Sequence, residues 1–213
     1  PGQTLDIYLR VRTSSAVQAP LTLWQRDAFS EFDSTRTLLH GLFFGTMLVI
    51  AVYNLLVYSV LREPTYLLYV GYVLCMPAFL GSLDGHAFRY LWPAATHWND
   101  QAIIVFLSGV VFFSCAFTRR FLTLDIVQPH FNQALKIISI VSVIMILAAF
   151  FVPYHLAIRA LIPLASFTCI VAFCAGIHGW YHHRITAKYY TIAWGFMLSG
   201  GLILALNKFH LIP

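Results

Sequence analysis

His178-Gly179-Trp180-Tyr181-His182-His183 has the sharpest chemical spacing in the chain. On a helix His178 and His182 fall one turn apart on one face, and neutral imidazoles so placed are ligands for a transition metal. His-x-x-x-His-His suits an oxygen-activating di-iron centre. Such a centre needs several boxes of this kind, because imidazole must fill the coordination spheres of two metals. His40, His86, His97, His130, His155 and His210 instead stand alone. Anchoring at a membrane interface by Trp180, Tyr181 and Arg184 accounts for the same segment without a metal.

The stretch Asp84–Asp100 carries the most varied side chains outside the apolar runs: Asp84, His86, Arg89, Trp92, Trp98, Asn99 and Asp100. A ligand pocket or a docking surface could be built from Asp84, His86, Arg89 and Trp92. An aromatic interfacial loop uses the same residues with no ligand, Asp84 pairing with Arg89 or accepting from backbone donors of the turn at Gly85, and the composition weighs toward it. No carboxylate dyad, nucleophile with an adjacent base, phosphate-cradling loop or zinc spacing is present, so no catalytic residue, metal or cofactor is expected. Lys136, Lys188 and Lys208 fall at the ends of apolar runs, so none of these runs offers a mid-helix lysine for a retinal Schiff base. Ionisable groups near a bilayer midplane would mark a transport pathway. Only Asn54, His178 and Asp84 come near one, and Asn54 suits an interhelical hydrogen bond.

The elements that must position these residues are six apolar runs: Leu38–Leu61, Thr65–Leu83, Gln101–Thr118, Leu135–Val152, Ala160–Tyr181 and Tyr189–Leu206. Each reaches or nearly reaches the roughly 20 residues that a spanning helix requires. With 60% hydrophobic and 10% charged residues and a mean hydropathy of +0.76, the chain has too little polar surface for a soluble globule. The runs are continuous rather than alternating, which predicts an all-α polytopic bundle over residues 34–213 and not a barrel. The net charge of +5 comes from Lys and Arg scattered near span ends, a membrane pattern rather than a nucleic-acid footprint. Cys75, Cys115, Cys169 and Cys174 lie inside apolar runs and read as packed thiols. Pro77 and Pro163 predict kinks rather than breaks, and Gly41-xxx-Gly45 would permit close helix approach.

Loop charge orients the spans. With the N-terminus extracytoplasmic, the inner side holds six basic residues, Arg62, Arg119, Arg120, Lys136, Arg184 and Lys188, against Arg89, Arg159 and Lys208 outside. The basic pair Arg119-Arg120 then faces anionic headgroups or a downstream domain. Residues 1–33 differ in texture: Leu5, Ile7, Leu9 and Val11 alternate with polar or large neighbours, and Leu21–Trp24 has strand composition. Two strands alone are marginal, so they read as the end of a larger β domain, with Asp33-Ser34-Thr35 as the cap of the first membrane helix. The abrupt start at Pro1-Gly2-Gln3 reads as a fragment.

Several passages then occur in a particular order. Tyr8-Leu9-Arg10-Val11-Arg12 and Ala19-Pro20-Leu21-Thr22-Leu23-Trp24 precede Gly41-Leu42-Phe43-Phe44-Gly45. Tyr53-Asn54, Tyr58, and Arg62 ahead of Tyr66-Leu67-Leu68-Tyr69 follow, and Leu91-Trp92-Pro93 closes the set. In this order the chain resembles the bacterial seven-transmembrane receptors with diverse intracellular signalling modules. The resemblance implies an extracytoplasmic jelly-roll-like sensory domain for an unknown ligand, residence in the bacterial inner membrane, and a seventh helix leading to a cytoplasmic diguanylate cyclase or histidine kinase. It also implies possible homodimerisation and no catalytic role for the spans themselves. The chain departs from the pattern in stopping after the sixth span, so Pro213 reads as a truncation. The competing classes are a histidine-box membrane oxygenase and a small-solute transporter.

Overall fold

The computed structural model describes residues 22–208, with the backbone alone at 96, 97 and 201–208. Contacts divide the chain into two compact units, Pro1–Leu42 and Phe43–Pro213. All regular structure among the described residues is helical: α1 Arg26–Leu61, α2 Pro64–Leu83, α3 His86–Tyr90, α4 Thr96–Phe121, α5 Leu124–Val127, α6 Pro129–Ala148, α7 Tyr154–Tyr181 and α8 Ile185–Lys208. Within the described residues five of these, α1, α2, α4, α6 and α7, are long and apolar enough to cross a bilayer. The helix α8 adds a sixth long element of 24 residues.

The start of the first helix corrects the sequence reading. Helix α1 begins at Arg26 and runs 36 residues, so Asp33-Ser34-Thr35 lies inside it and caps nothing. Asp27 in the first turn complements the exposed N–H groups there, Trp24 stacks on Phe32 with ring centroids 4.9 Å apart, and Phe29 N–H donates to the Gln25 carbonyl. Thr35 keeps to the helix by donating its hydroxyl to the Glu31 carbonyl at 3.0 Å, the bond a threonine makes when it sits mid-helix. The expected strand around Leu5–Val11 lies outside the described residues. Of the second, Thr22–Trp24 has no regular structure.

Helix α6 also shifts, from the expected 135–152 to Pro129–Ala148. Pro129 at the first helical position needs no N–H partner and sets the start. Phe150, Phe151 and Val152, apolar enough to extend the run, instead form the turn before Pro153, with Phe151 88% exposed. Apolar content cannot separate a helix end from an apolar turn. Pro77 and Pro163 sit inside continuous helices, as expected of membrane spans.

In the second unit α4 is the hub, packing on α2, α6 and α7, while α8 packs on α7. Two glycine contacts set the spacing. A Cβ on Gly71 of α2 would run into the Phe113 ring of α4, and one on Gly179 of α7 would sit 2.8 Å from the Ala187 Cβ of α8. Ala172, Ala175, Gly176 and Gly179 are all buried on α7, a small-residue face that lets helix backbones approach closely. Three apolar clusters fill the bundle. The largest joins Cys115, Leu124, Leu135, Ile138, Ala175 and Tyr190, the second Ile104, Ala149, Ala157 and Leu161, and the third Ala51, Val70 and Val73. Of the four cysteines Cys115 is buried, but Cys174 is exposed and looks outward.

Candidate functional site

The connection from α2 to α4 is an aromatic assembly. Asp84 is the C-cap of α2, its N–H donating to Leu80, and Gly85 at φ 75° turns the chain into α3. Only glycine adopts that left-handed conformation without a Cβ penalty. His86 lies 6.5 Å from Phe44, ring centroid to centroid. Arg89 places its guanidinium 5.2 Å over the Tyr90 ring, where a cation–π contact holds it. Trp92 donates from its indole to Asn99 Oδ1 at 3.3 Å, meets Trp98 edge-on and stacks near Phe106. Trp98 carries the stack on to Phe150. Asp84, His86, Arg89 and Trp92 thus share one connection, in which a carboxylate oxygen of Asp84 and an imidazole nitrogen of His86 lie within 4.8 Å of each other, while Arg89 lies over Tyr90 and Trp92 joins the ring stack.

The opposite end, where α1, α4 and α7 finish, is polar and wired. Arg120 Nε donates to Glu63 Oε1 at 3.3 Å, an ion pair between the first and second of these turns. Thr65 donates to the same carboxylate oxygen, and these two contacts, Thr65 first and then Arg120, hold the Glu63 carboxyl below its ordinary range. Arg119 donates to Asn132 Oδ1 at 2.7 Å. Arg184 donates to the Leu122 carbonyl at 3.0 Å and to Thr123 Oγ1 at 3.1 Å, tying the α7–α8 turn to the end of α4.

The histidine segment takes its place in this wiring. His178 and His182 do face one another, ring centroids 4.7 Å apart. His183 does not join them: it occupies the turn at φ 55°, its N–H donating to the Trp180 carbonyl while the Arg184 N–H reaches the Gly179 carbonyl. These two bonds form the Schellman closure of a helix, with histidine where glycine is usual. The third histidine of the box is a helix terminator that delivers Arg184 to α4.

Asn54 donates to the Ile50 carbonyl of its own helix at 2.8 Å, so this amide N–H serves α1 itself. Its side chain also lines a cavity of about 420 Å³ with Glu63, Thr65, Tyr66 and Arg120. A Cβ added at Gly41 or Gly45 would meet no atom within 4 Å. The close approaches are at Gly71, Gly109, Gly176 and Gly179. The signal for the last two was readable, because Ala172-xxx-Gly176 and Ala175-xxx-Gly179 repeat the small-xxx-small spacing. No local pattern announces the Glu63–Arg120 pair, whose members are 57 positions apart.

Apolar helices, turns closed by backbone capping, and side-chain polarity gathered at the helix ends define a polytopic helical membrane protein. A family model described as 7TM diverse intracellular signalling matches residues 36–213, most of the chain, and the chain belongs to that family of seven-transmembrane signalling receptors. Neither a curated protein nor a solved structure matches it.

Proposed function

We propose that residues 34–213 form the transmembrane relay of a bacterial inner-membrane receptor, with residues 1–33 as the end of an extracytoplasmic β sensory domain. On this reading a ligand sensed outside alters helix packing, and the change reaches a cytoplasmic output module of the diguanylate cyclase or histidine kinase type in the same full-length chain. The observation that carries it is α1. This helix runs unbroken from Arg26 to Leu61, about 54 Å at 1.5 Å per residue, long enough to carry a rotation or a shift from outside the bilayer to the far side.

The orientation, N-terminus out, rests on the grouping of Arg62, Arg119, Arg120, Arg184 and Lys188 around the end where α1, α4 and α7 finish. The open Gly41 and Gly45 positions suit a homodimer contact through α1. The outer connection bearing Asp84, His86, Arg89 and Trp92 is the natural docking surface for the sensory domain.

A relay needs two helix packings close in free energy, so output must respond to the spacing of the helices. The test is an exchange at the α7–α8 contact in the full-length receptor. Gly179→Ala alone inserts a methyl against Ala187 and shifts unstimulated output, and adding Ala187→Gly restores it. Output that stays at the wild-type level in the single variant contradicts the relay.

A further inference from the structure

A cavity of about 350 Å³ lies between α2, α4 and α8, within the size range of small-molecule sites. Its wall is a chain of rings. Tyr69 lies 5.6 Å from Phe117, Phe117 stacks on Phe121 at 5.0 Å, Phe121 meets Tyr190 at 6.1 Å, and Tyr190 meets Trp194 at 5.9 Å. Along α8 the cavity is edged by the exposed Tyr189 and Met197, so it opens outward toward the bilayer.

One polar atom in the lining stands out. Ser82, Ser139, Ser142, Ser166, Thr168 and Thr191 all donate to carbonyls of their own helices. Ser114 does not: it is 6% exposed, and its Oγ has no hydrogen-bond partner although it lines the cavity. A hydroxyl in an apolar setting without a partner is costly. Of the nearby hydroxyls, Thr118 Oγ1 and Tyr190 Oη bond to each other at 2.7 Å and Tyr72 donates to Met197 Sδ, and none of the three bonds to Ser114 Oγ.

We propose that this cavity binds a membrane-dissolved molecule with a planar aromatic or quinoid ring bearing a carbonyl, the ring stacking among Phe117, Phe121, Tyr190 and Trp194 and the carbonyl accepting from Ser114. A lipid acyl chain would fill the volume but leave the Ser114 hydroxyl unpaired and gain nothing from the ring faces. A lone water would pair Ser114 but leave most of a cavity of about 350 Å³ and its ring faces unfilled. The adjoining cavity shares Tyr69, Phe117 and Phe121 and ends at Thr65 and Arg120, giving polar substituents of the ring a place near the helix ends. Such a site would make the bundle respond to the membrane phase as well as to an extracytoplasmic stimulus, and binding is measured without reference to any relay.

The test is titration of the full-length receptor in lipid nanodiscs with a decyl-substituted benzoquinone, read by quenching of Trp194 and corrected with a Trp194→Phe variant. The expected result is saturable quenching, weakened roughly three- to tenfold by Ser114→Ala, the range for one lost hydrogen bond, and abolished by Ala193→Phe, which fills the cavity. Ser114→Ala removes a single oxygen and keeps the test decisive even if Ala193→Phe does not fold. Three outcomes overturn the proposal. Quenching that never saturates, or is equal in wild type and Ser114→Ala, is partition into lipid. Equal competition by a decyl chain without the ring makes the occupant an acyl chain. No quenching at all in the full-length receptor means that another part of the chain covers the cavity.

Discussion

Where α1, α4 and α7 end, directed contacts join the turns: Arg184 to Leu122 and Thr123, Arg119 to Asn132, and Arg120 to Glu63. Where α2 and α6 end, Trp92, Trp98, Phe106 and Phe150 lean on each other through ring faces and edges. A hydrogen bond has one good geometry and weakens steeply away from it, whereas aromatic pairs accept several arrangements of similar energy. One end of the bundle is therefore built to hold its helices in fixed register and the other to repack. In the proposed receptor the adaptable end would face the proposed sensory domain and the fixed end the proposed output module, so that a change admitted at the first would be delivered as a movement of connected helices at the second.

The largest effect expected of a single substitution at the fixed end is at the α7–α8 contact. Gly179→Leu forces a branched side chain into a site where a methyl already meets Ala187 at 2.8 Å, and should cost about 3 kcal/mol, read as a lowered unfolding midpoint in detergent. Next comes Arg184→Ala, which strips the buried Leu122 of its charged donor and should cost about 2 kcal/mol. Trp92→Phe at the other end keeps a ring in the stack and should cost no more than about 1 kcal/mol. If Trp92→Phe proves the more damaging of these two, the contrast between the ends is broken.

His183→Gly acts in the opposite direction. The left-handed turn at φ 55° penalises a residue with a Cβ, so glycine there should raise stability by about 1 kcal/mol while leaving Arg184 in place. The smallest effect is a pH dependence. Thr65 and Arg120 lower the Glu63 pKa, so the carboxylate's contribution is complete above the ordinary carboxylate range and disappears as pH falls through the lowered value. Unfolding midpoints of wild type and Glu63→Gln should differ slightly at neutral pH and converge in acid. A gap that widens in acid would mean that Glu63 stabilises through its protonated form.

Hydropathy made the long helices legible, because bilayer thickness imposes their length. Their ends were less so. Nothing in composition distinguishes Phe150-Phe151-Val152 in a turn from the same residues in a helix, and the polar start of α1 looked like a linker until its local bonds were visible. Among the site residues, the aromatic character of the Asp84–Asp100 connection followed from its tryptophans, but the expected Asp84–Arg89 pairing gave way to Arg89 over Tyr90. The histidine spacing placed His178 and His182 on one face correctly. That His183 would turn left-handed and close the helix depends on backbone bonds that residue spacing does not encode.

If α1 carries a rotation or a shift through the bundle to the output, inserting alanines between Thr37 and Leu38 of the full-length receptor must change that output according to the number added. One added residue turns everything before it by about 100° relative to everything after it, while seven bring the two nearly back into phase. Unstimulated output should shift several-fold with one added residue and return near its starting level with seven. Output that is the same at every inserted length would contradict this role of α1.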